Sequence, residues 1–334
     1  MEIIKKEKNN TVDIILHPKL GDAILSQPAI LCLNQLNQKY NKNIKIKVIS
    51  TFPNLAKVLS ALDIYNSKQM NLSEKAKTFV LPSDVAFYLA TSSKNLGYKA
   101  KNTYGELNSF KTYIKYTQET PYLKVENTKD LFSTELYNFL REKFSFSTKT
   151  ISIFGICIDL GFSEQQIIET FNFNPELLSA KKEFSNWIPP LEENSYIVFC
   201  MEAANNNKVD LCRRWDETNY IEIAEKIYDN YGIEVVFIGV DTRFKIPSKP
   251  YFKDLRKKLD IAKLAILMKF SLGYIGNDTG PLHLNNLMQK LSIGMYFNEV
   301  FTRNFSPIFP QLNKVILKPK NVEEVFSQVK FLLG

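Results

Sequence analysis

Short apolar runs alternate along this chain with longer stretches in which apolar residues return every three or four positions. The first run, Val12–Leu16, reads as a strand. A loop follows over His17–Asp22. A helical pattern then starts near Ala23 and runs to about Gln38, with Ile24, Ile30, Leu33 and Leu36 on its apolar face. Pro28 is tolerable there only near the helix start. Asn43–Ser50 alternates apolar and basic residues, as a strand with one polar face does. Phe52–Leu62 reads as a helix, Thr78–Leu81 as a short strand and Ser83–Ala90 as a short helix. Leu131–Phe144 reads as a helix, Thr150–Phe154 as a strand, and Phe162–Leu178 as a helix broken at Pro175.

The rhythm is clearer in the second half. Tyr196–Cys200 and Glu234–Ile238 are apolar runs of strand length, and the second ends at Gly239. Between them Tyr220, Ile223, Ala224, Ile227 and Tyr228 mark one helix face. Asp260 is placed to cap a helix over Ile261–Phe270. A short strand then enters a polar turn and a helix start at Asp278–His283, and Leu291–Phe297 reads as a further strand. An amphipathic helix over Asn321–Leu333 closes the chain. Strands alternating with helices predict an α/β protein with parallel sheets. Ser185–Asn194, which contains Pro189 and Pro190 and follows neither period, reads as a linker. The expected division is an N-terminal domain over 1–188, a C-terminal domain over 195–320 and a closing helix over 321–334, the last expected to pack back toward the N-terminal domain.

Composition changes this picture little. A chain of 334 residues suits two domains of about 100–200 residues each. The formal charge of +8 favours an anionic partner. No apolar run approaches the ~18 residues that cross a bilayer, and the N-terminus shows no apolar secretory segment, so a cytoplasmic protein is expected. Cys32, Cys157, Cys200 and Cys212 are scattered without a Cys-x-x-Cys pair, so neither a structural zinc nor a disulfide is expected. The region 91–129 interleaves lysines with tyrosines. It reads as a solvated insertion or as a holder of a phosphorylated glycolipid, and no nucleic-acid motif accompanies it.

Three polar loops carry candidate chemistry, each at the carboxyl end of an expected strand, where open α/β sheets bind ligands. The first holds Lys19, Gly21 and Asp22. The second holds Arg213 and Arg214. The third holds Asp278, Thr279, Gly280 and His283. A glycine-containing turn that opens a helix suits a diphosphate, because free backbone N–H groups and the positive end of the helix dipole face the anion. An ordinary helix cap by Asp22 or by Asp278 is the alternative in each case.

In order and spacing these pieces resemble glycosyltransferase family 9, the ADP-heptose:lipopolysaccharide heptosyltransferases. The resemblance rests on Leu20-Gly21-Asp22 followed by Pro28, on Arg213-Arg214-Trp215, on Asp254 through Ala265, and on Gly276 through Leu284. It implies a GT-B architecture, two Rossmann-like domains facing a cleft, with the donor held mainly by the second. It implies Asp22 as general base and Arg213 on the donor diphosphate, both catalytic. It places Asp278, Thr279, Gly280 and His283 at the donor, with Lys19 and Gly21 lining the site and Arg214 at the surface. It implies transfer of heptose from an ADP-sugar to the inner core of lipopolysaccharide, an anionic glycolipid, at the inner membrane surface. Neither a metal nor another cofactor is required, and magnesium is not implied. The same fold with another nucleotide sugar or acceptor, or a non-catalytic sugar-nucleotide binder, are the alternatives. The chain departs from the pattern at Asp216, where a proline is usual. It departs again at Leu284–Leu287, where the family is often alanine-rich, and after Gly239, where Asp241 is the nearest candidate for a ribose contact.

Overall fold

The computed structural model describes residues 11–16, 19–50, 58, 64–66, 77–80, 132–173, 187–203 and 213–334. The expected helix over 83–90, the region 91–129, the break at Pro175 and most of the helix over 52–62 lie outside the described residues, as does the segment 204–212.

The first half is built on a parallel sheet of β1 (Thr11–Ile15), β2 (Lys45–Ser50), β3 (Ile64–Asn66) and β4 (Lys77–Val80), in the order β3-β2-β1-β4. β1 leads into α1 (Leu20–Leu25) and α2 (Gln27–Lys39). A single helix from Ala23 was expected here, and two are found. Lys19 takes an extended conformation and caps α1, so Asp22 lies in the first turn rather than in a loop or at the cap. The chain turns at Ser26, whose hydroxyl donates to the Ala23 carbonyl at 2.7 Å. Pro28, with no N–H to continue the ladder, sits in the first turn of α2.

Four more helical segments follow: α3 (Thr134–Asn138), running on into a π-helical turn over Phe139–Lys143, α4 (Thr148–Ile153), α5 (Gly155–Asp159) and α6 (Glu164–Thr170). The expected strand at Thr150–Phe154 is thus corrected to helix. Ser147 caps α4 by accepting from the Thr150 N–H. Every residue of α4 is buried, and a short helix hidden all round shows no period to distinguish it from a buried strand.

The second sheet is six-stranded and parallel, in the order β10-β9-β8-β5-β6-β7. Its strands are β5 (Tyr196–Cys200), β6 (Glu234–Ile238), β7 (Phe252–Asp254), β8 (Gly273–Asn277), β9 (Ser292–Tyr296) and β10 (Asn313–Leu317). β5, β8 and β9 are buried throughout, as central parallel strands covered on both faces must be. Its helices are α7 (Glu217–Tyr231), α8 (Ile261–Phe270), α9 (Gly280–Leu287), α10 (Glu299–Asn304), α11 (Val322–Phe326) and α12 (Lys330–Leu333). Asp260 caps α8 as expected, its carboxylate accepting from the Lys263 N–H at 2.8 Å.

The C-terminal segment packs on the second half. It breaks into α11 and α12. Val322, Val325, Val329 and Leu332 are buried in one apolar cluster with Ile223 and Ile227 of α7 and with strand residues of the second sheet. Residues 187–194, within the expected linker, form neither helix nor strand.

Sheet order locates the site. After β5 the chain moves outward through β6 and β7, then returns to place β8 on the other side of β5. The crevice between β5 and β8 is therefore a switch point, and ligands of open α/β sheets bind outside the carboxyl ends of strands at such a point. β1 has the same position in its sheet, flanked by β2 and β4.

Candidate functional site

The end of β1 and the β5–β8 crevice face each other across a cleft of about 470 Å³. All eight residues expected at the site line it: Lys19, Gly21 and Asp22 from the first half, and Arg213, Asp278, Thr279, Gly280 and His283 from the second. The two walls touch at the floor, where the start of α1 meets the start of α9. Gly21 leaves no room there for a side chain, and Gly280 leaves little. A Cβ on Gly21 would lie 2.7 Å from Cδ2 of His283, and one on Gly280 would lie 3.0 Å from Cβ of Leu20. His283 is 4% exposed, so its ring has little room to yield. Thr279, in extended conformation, caps α9 without a side-chain bond. Asp278 is therefore not a helix cap, and its carboxylate is directed elsewhere.

That carboxylate organises the second wall. Arg213 Nη2 donates to Asp278 Oδ2 at 2.9 Å and to the Asp278 carbonyl at 2.8 Å. His283 Nε2 lies 3.7 Å from Asp278 Oδ1. The Arg213 guanidinium sits 4.8 Å above the ring of Phe301, in cation–π range. A cation, a histidine and the N-terminus of α9 thus converge on one side of the cleft, an arrangement suited to an anion.

Asp22 stands on the other wall with its side chain 12% exposed, and Lys149 Nζ of α4 lies 3.7 Å from its Oδ1. Burial pushes the Asp22 carboxyl above the ordinary aspartate range, against the pull of Lys149, Lys19 and His283. Asp278 adds a smaller upward push. A carboxylate raised toward neutrality is a better proton acceptor than a free one while it remains ionised.

Several contributors escaped the sequence reading. Asn277, fully buried, donates to the Met201 carbonyl at 2.9 Å and accepts from the Trp215 N–H at 3.3 Å and the Tyr220 hydroxyl at 3.0 Å. It ties the ends of β5 and β8 to α7 and to the loop that carries Arg213. Glu202, beside Gly239, accepts from the Asp241 N–H and is raised above the ordinary glutamate range by burial. Phe301 of α10 and Phe305, which follows that helix, close one side of the cleft. Lys149 is 1% exposed. Of these five only Asn277 lies within a segment that the sequence reading singled out, Gly276–Leu284. The only signal was Asn277's place beside Asp278.

One expectation is corrected. Arg214 is not a surface residue: its side chain is 12% exposed and lies 3.5 Å from Asp241 and 3.8 Å from Glu217. Asp241, the ribose candidate, is held by Arg214 and Arg243, and the Arg243 hydrogen bond keeps its carboxyl far below the ordinary range. Cys200 lines the cleft as a thiol pushed up to about 12 by burial, so it stays protonated. Among the described residues no three of His, Cys, Asp and Glu converge as a metal site would need.

Comparison with known proteins agrees with this geometry. No curated protein matches the sequence. The fold matches the ADP-heptose lipopolysaccharide heptosyltransferase II of E. coli with a TM-score of 0.61 at 15% identity, covering 97% of this chain and 98% of that one. It matches a family 9 glycosyltransferase of Veillonella parvula with a TM-score of 0.57 at 12% identity, covering 97% of each chain. These likenesses establish the GT-B architecture, two parallel-sheet halves facing a cleft. The profile of glycosyltransferase family 9 (heptosyltransferase) matches residues 81–330, which include Arg213 and the whole β8–α9 turn and exclude Asp22. On that match the chain belongs to glycosyltransferase family 9 and is a glycosyltransferase.

Proposed function

We propose that the protein is an inverting transferase that moves heptose from ADP-heptose to the inner core of lipopolysaccharide at the cytoplasmic face of the inner membrane. One observation carries the chemistry. Asp22, the raised carboxylate of the first half, faces an anion-binding wall formed by Arg213 and the start of α9 across a cleft of about 470 Å³. Inversion needs one base and a leaving group in line, and no second carboxylate as nucleophile.

In this reading the donor's diphosphate lies at Thr279 and Gly280, with Arg213 and His283 beside it. The acceptor hydroxyl enters from the first half and gives its proton to Asp22. Its oxygen attacks the anomeric carbon as the bond from that carbon to the phosphate oxygen breaks. Arg213 and the backbone N–H groups of α9 take up the charge that grows on departing ADP. The charge on the leaving group is thereby met by side chain and backbone. To bind phosphate, Arg213 must share or release Asp278, its present partner.

The donor assignment draws support from fold neighbours. The heptosyltransferase TibC of E. coli, an iron-containing dodecamer, was solved with ADP-D-β-D-heptose; it matches with a TM-score of 0.51 at 10% identity, and this chain covers 64% of its length. A different nucleotide sugar on the same site is the second reading. The departure from the family pattern after Gly239, where Asp241 stands, favours it.

Calorimetric titration with ADP, UDP, GDP and their sugars, with and without magnesium, separates the two. Selective binding of ADP without magnesium, weakened by Arg213→Met, is the expected result. Preference for UDP or GDP would overturn the donor.

A further inference from the structure

Lys149 is the buried charge that the mechanism above leaves unused. It stands in the first turn of α4, where a cation faces the positive end of the helix dipole and gains nothing from it. It is 1% exposed, and lysine is almost never so buried without a partner. Its neighbours Thr148, Thr150 and Ser152 are buried as well. Its Nζ lies 3.7 Å from Asp22 Oδ1. Burial keeps it from reaching a substrate in the cleft. What it reaches is the carboxylate that faces the cleft.

We propose that Lys149 is a positioning residue for Asp22, holding that carboxylate ionised and aimed into the cleft from α4. The inference rests on the reading of Asp22 as the base. Lys19 ahead of α1 and His283 of α9 also draw the Asp22 carboxyl toward its ionised form, while burial and Asp278 oppose it. Lys149 is the strongest of these pulls on Asp22, and the lysine is nearly sealed from solvent.

Loss of an opposite charge at this range raises a carboxyl pKa by about one to three units. In Lys149→Met the acidic limb of the kcat profile should therefore move to higher pH by about that much, with ADP affinity unchanged, since ADP contacts lie on the other half. Lys149→Arg keeps the cation and should keep the wild-type limb. A purely structural lysine would lower the melting temperature and the active fraction without moving the limb.

Carbon-13 titration of the Asp22 carboxyl in the full-length protein reads the same coupling without any transfer assay. An upward move in Lys149→Met supports the inference, and an unmoved titration overturns it. Should Lys149→Met fail to fold, Asp22→Asn gives the reciprocal reading. The Lys149 ammonium must then titrate at lower pH than in the wild type, and an unchanged value overturns the inference. Failure of the wild type to transfer from any ADP-, UDP- or GDP-sugar would sink the base assignment, and the carboxyl titration keeps the two failures apart.

Discussion

Asp22 is costly to the fold and necessary to the proposed chemistry. Its carboxyl is raised by burial despite Lys149 and Lys19. The folded state therefore binds its proton more tightly than the unfolded chain does. Its stabilising contribution is complete below the unfolded value, about 3.9, and is lost as pH rises through the folded value. Asp22→Asn should flatten the dependence of the melting temperature on pH between about pH 4 and neutrality, read by thermal melts across that range. The same substitution should cut transfer by about 10²–10⁴-fold while ADP binding persists, measured by turnover and calorimetry on one preparation. Loss of ADP binding would show that Asp22 serves the donor instead. Gly21 is the second sensitive position. Gly21→Ala places a methyl 2.7 Å from the His283 ring, so the two helix starts must separate. Both ADP affinity and transfer should fall, and a wild-type titration curve would show that the contact is dispensable.

At the scale of elements, Asn277 joins β5, β8, α7 and the Arg213 loop. Asn277→Ala leaves the Trp215 N–H and the Tyr220 hydroxyl buried without that acceptor. The expected cost is about 3 kcal/mol by urea denaturation, with a weaker grip on ADP because Arg213 loses its anchor. A stability loss with unchanged ADP affinity would confine Asn277 to the fold. Element reading from sequence succeeded where one face is apolar and the other wet. α7 and α8 were placed by period and by cap, and β5, β6, β8 and β9 by apolar runs of strand length between turns. It failed for α4, which is buried on every side, and for β3, β7, β10 and α10, which are too short or too exposed to carry a period. The break between α1 and α2 had its signal in Pro28, but its position at Ser26 follows from side-chain bonds to the Ala23 carbonyl.

At the scale of the whole molecule, one apolar cluster runs from α1 and α2 of the first half into α8 and α9 of the second. Phe173 stacks on Phe309 across the same boundary at 5.4 Å. The cleft is thus walled by two halves that share packing at its base. A ligand bound there stabilises both halves. ADP at one hundred times its dissociation constant should add about 2.7 kcal/mol. Scanning calorimetry should then show a single transition moved upward. Two transitions, only one of them moved, would mean that the halves unfold separately.

The sequence alone determined the class of the fold and named eight of the residues that line the cleft. Strand-length apolar runs between helical periods dictate parallel α/β units, and polar turns at strand ends dictate where ligands meet them. Those signals are local, and local spacing preserves them. The partners of each residue are not local. Asp22 and Lys149 lie 127 positions apart in the chain, and Arg213 and Asp278 lie 65 apart. Only packing of α4 beneath α1, and of β5 beside β8, brings these charges within 4 Å. Tertiary structure therefore decided which carboxylate is raised, which arginine is held and which lysine is buried, because burial and proximity set those properties and neither is written in any short stretch of chain.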